Sequence, residues 1–149
     1  MISKQGGRPA IPLYGVDTML FVYHFEGNER LGVHAGRILA AAEAGRCRLV
    51  TSVLTLLEIL VVPRRQGRED LCQGYREFFA GFPNLSMVPV GEEIAEVAAG
   101  LRASLPIRTP DAIHVATAMV AGATAFISAD LRIKGPRGLR IIRPEQFRV

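Results

Sequence analysis

Short apolar runs alternate with helical apolar spacing along most of the chain. Ile11 to Val16 is a brief apolar run that predicts a first strand, with Asp17 at its carboxyl edge. Thr18 to Phe25 continues as helix and stops at Gly27-Asn28. Leu31, Ala35, Ile38, Leu39 and Ala42 recur at helical spacing, predicting a helix from Leu31 to Ala44 that Gly45 closes. Arg48 to Thr51 reads as a second strand. Ser52 opens an apolar helix, Val53 to Val62, which Pro63 is expected to end, and Glu58 is embedded in it between Leu57 and Ile59.

A polar loop from Arg64 to Asp70 leads into a helix through Phe78-Phe79, and Pro83-Asn84 marks a turn. Leu85 to Val90 predicts a third strand. Gly91 to Ser104 is amphipathic, with Ile94, Val97, Ala98 and Leu101 inward and its glutamates outward. Thr109-Pro110-Asp111 is a helix start: Thr109 suits a cap, Pro110 the first turn, and Asp111 the positive dipole end. The helix that follows is apolar nearly all round and closes at Gly122, so it is expected to be buried. Thr124 to Ser128 predicts a fourth strand running into Ala129-Asp130, and Leu139 to Ile142 a short edge strand.

This alternation predicts an α/β domain with a parallel sheet covered on both faces. Residues 10–149 are expected to form one domain, and residues 1–9 a loose tail. In such sheets, sites form beyond the carboxyl ends of strands, near the point where strand order reverses. Asp17 and Asp130 both sit immediately after strands.

Composition narrows the class. With 49% of 149 residues apolar, disorder is excluded. No apolar run reaches the roughly 18 uncharged residues of a membrane helix. The N-terminus lacks the apolar core of a signal peptide, and Cys47 and Cys72 have no CxxC spacing, so a reduced cytoplasmic protein without membrane contact is expected. The net charge is +4, and arginine outnumbers lysine sixteen to two. Arginine forks suit phosphate, although GC-rich coding gives the same bias.

Four acids stand apart from the solvated surface: Asp17 after strand one, Glu58 within an apolar helix, Asp111 at a helix start, and Asp130 after strand four. Each has an ordinary alternative, as a cap, an ion-pair partner, a helix N-terminal acid or a turn residue. Together they predict convergence on one end of the sheet, where unscreened carboxylates repel one another. Hard divalent cations relieve that repulsion, and carboxylate and water oxygens are the ligands Mg²⁺ and Mn²⁺ accept. Such ions orient water and stabilise charge at a phosphodiester, so a metal-dependent nuclease is the leading expectation. A dehalogenase-type phosphatase would need a second acid where Met19 stands. A receiver-like signalling domain would need an acid after the third strand, which ends Val88-Pro89-Val90-Gly91. His114, three residues after Asp111, reads as a hydrogen-bonded core histidine in preference to a general base. His24 and His34 fit no constellation, and the basic stretch Arg132, Lys134, Arg137, Arg140, Arg143 suits RNA phosphates or plain solvent equally.

The segments Gly15-Val16-Asp17-Thr18, Ser52 to Glu58, Thr109 to Ala118, and Ile127-Ser128-Ala129-Asp130 resemble the motifs of PIN domains, most closely bacterial VapC-type toxins. The third is the most specific and the first the least, and the resemblance spans nearly the whole chain. It implies a three-layer α/β/α PIN-like fold around a mostly parallel sheet of four to five strands. It also implies Mg²⁺- or Mn²⁺-dependent endoribonuclease activity, a homodimer, and a cognate antitoxin protein. The family's acidic quartet carries over to Asp17, Glu58, Asp111 and Asp130 as metal-holding catalytic residues, with Thr18 and Ser128 supporting them. Met19 replaces the Asn or Ser often found there, which touches a supporting hydrogen bond and not the acids. A PIN-like RNA-binding or interaction module without catalysis, and a non-toxin PIN nuclease in RNA processing, are the alternatives.

Overall fold

The structure, a computed structural model, describes residues 10–149; the N-terminal tail expected over 1–9 lies outside the described residues. Five strands form one sheet: β1 (Leu13–Val16), β2 (Arg48–Ser52), β3 (Leu85–Val88), β4 (Ala125–Ile127) and β5 (Arg140–Ile142). The order is β3-β2-β1-β4-β5, and every neighbouring pair is parallel. Strand order reverses between β1 and β4, so the crevice at their carboxyl ends is the expected site position.

Six helices cover the two faces: α1 (Thr18–Phe25), α2 (Gly32–Glu43), α3 (Leu54–Arg65), α4 (Glu69–Gly81), α5 (Glu92–Ser104) and α6 (Thr109–Val120). Alternate strand positions divide the core. Tyr14, Val16, Leu49, Ala125 and Ile127 pack with α1 to α4 and the aromatic group Phe21, Phe78 and Phe79. Phe126 faces the other way, into a second core with Ile94, Leu101, Ala112 and Val115 of α5 and α6. The molecule is a three-layer α/β/α fold with an entirely parallel five-stranded sheet.

Gly15 sets the spacing at the centre. A Cβ there would overlap Ala118 of α6 and lie 2.9 Å from Phe126, so only glycine lets α6 close on β1. That close approach carries Asp111 and His114, near the start of α6, toward Asp17 at the end of β1.

Three local expectations change. Pro63 does not end α3, which runs on to Arg65; the terminus comes at Gly67, whose φ of 66° allows Arg68 N–H to bond back to the Pro63 carbonyl. Thr109 does not cap α6: Arg108, in extended conformation, accepts the first helical bond from Ala112 and takes the N-cap position, making Thr109 the first helical residue. β3 stops at Val88, because Pro89 has no N–H to continue a ladder. The apolar helix α3 is also not fully buried. Leu57 is 60% and Val62 57% exposed, so its outer face is an apolar surface and not core.

Candidate active site

Asp17 follows β1 at the N-cap position of α1, although its side chain makes no cap hydrogen bond. It is buried, with 9% exposure, and accepts a hydrogen bond from Ser128 Oγ at the end of β4. Ser128 Oγ in turn accepts from the Asp130 N–H at 3.1 Å. Two strand ends are thereby tied together by one hydroxyl. Burial pushes the Asp17 carboxyl up to about 6; the Ser128 hydrogen bond, His114 and the Leu20 backbone offset part of that, and the charge of Asp111 adds to it. No arginine or lysine pairs with it among the described residues.

Glu58 enters from α3 with its side chain about two-fifths exposed, and is held by two donors on one oxygen. His114 Nε2 lies 2.7 Å from Glu58 Oε1, and Thr18 Oγ1 donates to the same atom at 3.0 Å. An ionised carboxylate only accepts, so Nε2 carries the proton. The hydrogen bond from His114 is the main reason the Glu58 carboxyl lies below its ordinary range, with burial working against it. His114 is itself buried, and its Nδ1 has no partner among the described residues.

Behind these groups runs a buried hydroxyl chain. Thr51 Oγ1 donates to the Val16 carbonyl at 3.0 Å, Thr55 Oγ1 lies 2.7 Å from Thr51 Oγ1, and Thr18 Oγ1 lies 3.2 Å from Thr55. With Thr51 donating to Val16 and Thr18 to Glu58, the single Thr55 proton goes to Thr51 at 2.7 Å and the Thr18 approach is packing, so the cluster gathers β1, β2, α1 and α3 behind Asp17 and Glu58. Sequence reasoning missed Thr51 and Thr55. They sit at the end of β2 and one helical turn on, and only the fold shows that they meet Thr18.

The other two acids, more exposed than Asp17 but less than Glu58, carry arginines. Arg108 Nε donates to Asp111 Oδ2 at 3.2 Å. Arg132 binds both oxygens of Asp130, at 3.0 Å to Oδ1 and 2.8 Å to Oδ2, and its N–H also bonds Oδ1 at 2.9 Å. Those Arg132 hydrogen bonds hold the Asp130 carboxyl down to about 2. The spacings i,i+3 and i,i+2 were available as signals for both pairs.

All four acids therefore lie about the β1/β4 crevice. Asp17 and Ser128 touch, Glu58 and Thr18 touch, Asp111 acts on Asp17, and Arg108 acts on Asp130 through space. Among the described residues no three of His, Cys, Asp or Glu stand together as a ready ligand set. The donors are hard oxygens, as Mg²⁺ and Mn²⁺ require, and a buried Asp17 without a cationic partner fits a cation site. In gathering the set, a cation would compete with Arg108 for Asp111 and with Arg132 for Asp130.

Comparison with known proteins agrees with this topology. In sequence, no curated protein matches the chain. Solved structures of similar fold include DNA-bound VapBC from Salmonella typhimurium, at 18% identity over 91% of this chain and 99% of that one, TM-score 0.69. VapBC2 from Rickettsia felis bound to a promoter DNA fragment has 16% identity over 88% and 98%, TM-score 0.68. A toxin–antitoxin complex from Klebsiella pneumoniae has 22% over 89% and 97%, TM-score 0.65. Identities this low establish shared fold only. The family model of the PIN domain matches residues 14–138, most of the chain, and together with the reversed strand order and the acids at its switch point it makes this protein a member of the PIN-domain family.

Proposed function

We propose that the protein is a Mg²⁺- or Mn²⁺-dependent endoribonuclease, the toxin of a toxin–antitoxin pair, acting in the cytoplasm. The observation that carries the reading is Asp17: a carboxylate buried at the strand-order switch point, raised to about 6, with the charge of Asp111 acting on it and no arginine or lysine paired to it among the described residues. PIN-domain proteins are nucleases that generally use divalent metal ions.

Asp17, Glu58, Asp111 and Asp130 would hold the ion or ions. When bound, a divalent cation supplies an activated water and stabilises charge at the phosphodiester. The chain's own part is positioning. Ser128 fixes the rotamer of Asp17, while His114 and Thr18 fix Glu58. The Thr51–Thr55–Thr18 chain satisfies the buried polar atoms behind them, keeping that wall dry. An arginine-rich surface draws the RNA backbone.

The protein partners belong to the same reading. The VapBC structures are complexes of two proteins, and the exposed apolar face of α3, with Leu57 and Val62, supports a partner here, whether an antitoxin or a second copy. The test is hydrolysis of labelled RNA by wild type and Asp17→Asn, each with Mg²⁺ and with EDTA. Cleavage should need the metal and fall at least ~100-fold in the variant, the scale of losing one major electrostatic contribution. Full activity in EDTA, or an unimpaired variant, contradicts the metal mechanism; no cleavage under any condition favours a binding module.

A further inference from the structure

A small cleft of about 80 Å³ opens beside the carboxylates, between the α5–α6 connection and the segment after β4. Pro106, Ile107, Arg108, Asp111, Arg132 and Ile133 line it. Both arginine side chains are mostly exposed, at 66% and 73%. Their backbones are nevertheless fixed. Arg102 Nε donates to the Ile107 carbonyl at 3.3 Å, Arg108 accepts the first bond of α6, and Ile133 is buried in the core next to Arg132. Two exposed guanidinium heads, each paired to a carboxylate of the site, thus stand on anchored stems, one on each wall, at the positive end of the α6 dipole.

We propose that Arg108 and Arg132 form a phosphate subsite for RNA, latched on Asp111 and Asp130 in the metal-free protein and released when a divalent cation takes those carboxylates. The inference rests on the nuclease reading above and adds residues and a coupling to it. Arg132 occupies both oxygens of Asp130 and Arg108 one oxygen of Asp111, so each guanidinium competes with a cation for the carboxylate it holds. An exposed ion pair is a weak competitor, whereas a divalent cation bound by several carboxylates gains far more, so the cation wins. Once displaced, the arginines stand uncompensated beside a dication, and a phosphodiester oxygen is the anion that guanidinium forks match. The coupling is reciprocal: metal favours phosphate binding and phosphate favours metal binding.

Three proteins test this beside wild type: Arg132→Leu, Arg108→Leu, and Arg46→Leu at the opposite end of the sheet as a charge control. Mn²⁺ alone is titrated and free ion is read by electron paramagnetic resonance. Binding of a fluorescein-labelled oligoribonucleotide is then read by anisotropy in EDTA and in Ca²⁺, with the probe checked for intactness. Loss of either latch should tighten Mn²⁺ by up to about fivefold, the upper end of what one exposed ion pair's competition gives, and Arg46→Leu should not. Wild type should bind the oligonucleotide more tightly in Ca²⁺ than in EDTA, and the two latch variants should lose most of that gain. Latch variants that bind Mn²⁺ no tighter than the Arg46→Leu control, or that keep the Ca²⁺-dependent gain, overturn the proposal. A wild type that binds no Mn²⁺ overturns the metal reading itself, and the subsite with it.

Discussion

The inner and outer halves of the acidic crevice solve one electrostatic problem in opposite ways. Asp17 is buried and oriented by a hydroxyl, and its carboxyl is pushed up to about 6. Asp130 is near solvent and gripped by a guanidinium, and its carboxyl is held down to about 2. Neutral donors fix geometry without neutralising charge, so the inner half is preorganised and carries an unmet demand for a cation. Arginines neutralise charge and compete for the oxygens, so the outer half is comfortable and binds a cation only against that competition. Rigid orientation and uncompensated charge on one wall, exchangeable partners on the other, is the arrangement expected of a site that waits for a metal and then an anion.

The contrast breaks most visibly in the pH dependence of stability without metal. Asp17 has a folded-state value of about 6 against an ordinary 3.8, so the native state binds the extra proton. Its favourable contribution is full below about pH 4 and is lost as pH rises to about 6. Asp17→Asn does not ionise, so in EDTA it should gain on wild type across that window and stay ahead above it. The ceiling is about 3 kcal/mol, from two pKa units at 1.36 each. Denaturant melts at pH 4.5 and 7.5 measure it; a variant less stable than wild type at pH 7.5 means the inner acid is not under strain.

A smaller effect should follow from the hydroxyl chain. Thr55→Val keeps the shape and removes the hydrogen bond between Thr55 and Thr51, beside Thr18. It should cost about 1–2 kcal/mol, the usual scale for disturbing a buried hydrogen bond, and loosen Glu58 as well as the fold. A melt unchanged from wild type shows that Thr51 and Thr18 do not depend on Thr55.

The smallest effect belongs to the outer half. Asp130→Asn loses an exposed i,i+2 ion pair but can keep the turn bond from the Arg132 N–H, so metal-free stability should shift by less than about 1 kcal/mol. A shift as large as that of Asp17→Asn would erase the distinction between the halves.

How far the sequence foretells all this differs by residue. Asp17, Asp130 and Asp111 are legible, because strand ends and helix starts are local patterns and their meeting follows from a parallel sheet. The strands and helices are legible for the same reason. The partnership of Glu58 with His114 spans 56 positions and appears only when α3 and α6 flank the same strand end. The outward face of α3 is not legible, since Leu57 and Val62 carry no mark that distinguishes burial in this chain from burial against another. Pro63 misleads because a proline late in a helix sacrifices one bond while Gly67 still supplies the real terminus. The arginine pairs are spaced legibly, yet with sixteen arginines only the fold shows which of them meet the acids.

The most direct test of the central claim, that these acids await a divalent cation, is thermal melting of wild type and Asp17→Asn with EDTA and with Mn²⁺. In EDTA the variant should melt higher. At 100 times the dissociation constant, an ion binding only the folded state adds about 2.7 kcal/mol to wild type, and the variant, short of a ligand, should gain much less, so the order reverses. A wild type that Mn²⁺ leaves unshifted, or equal shifts in both proteins, would contradict the account.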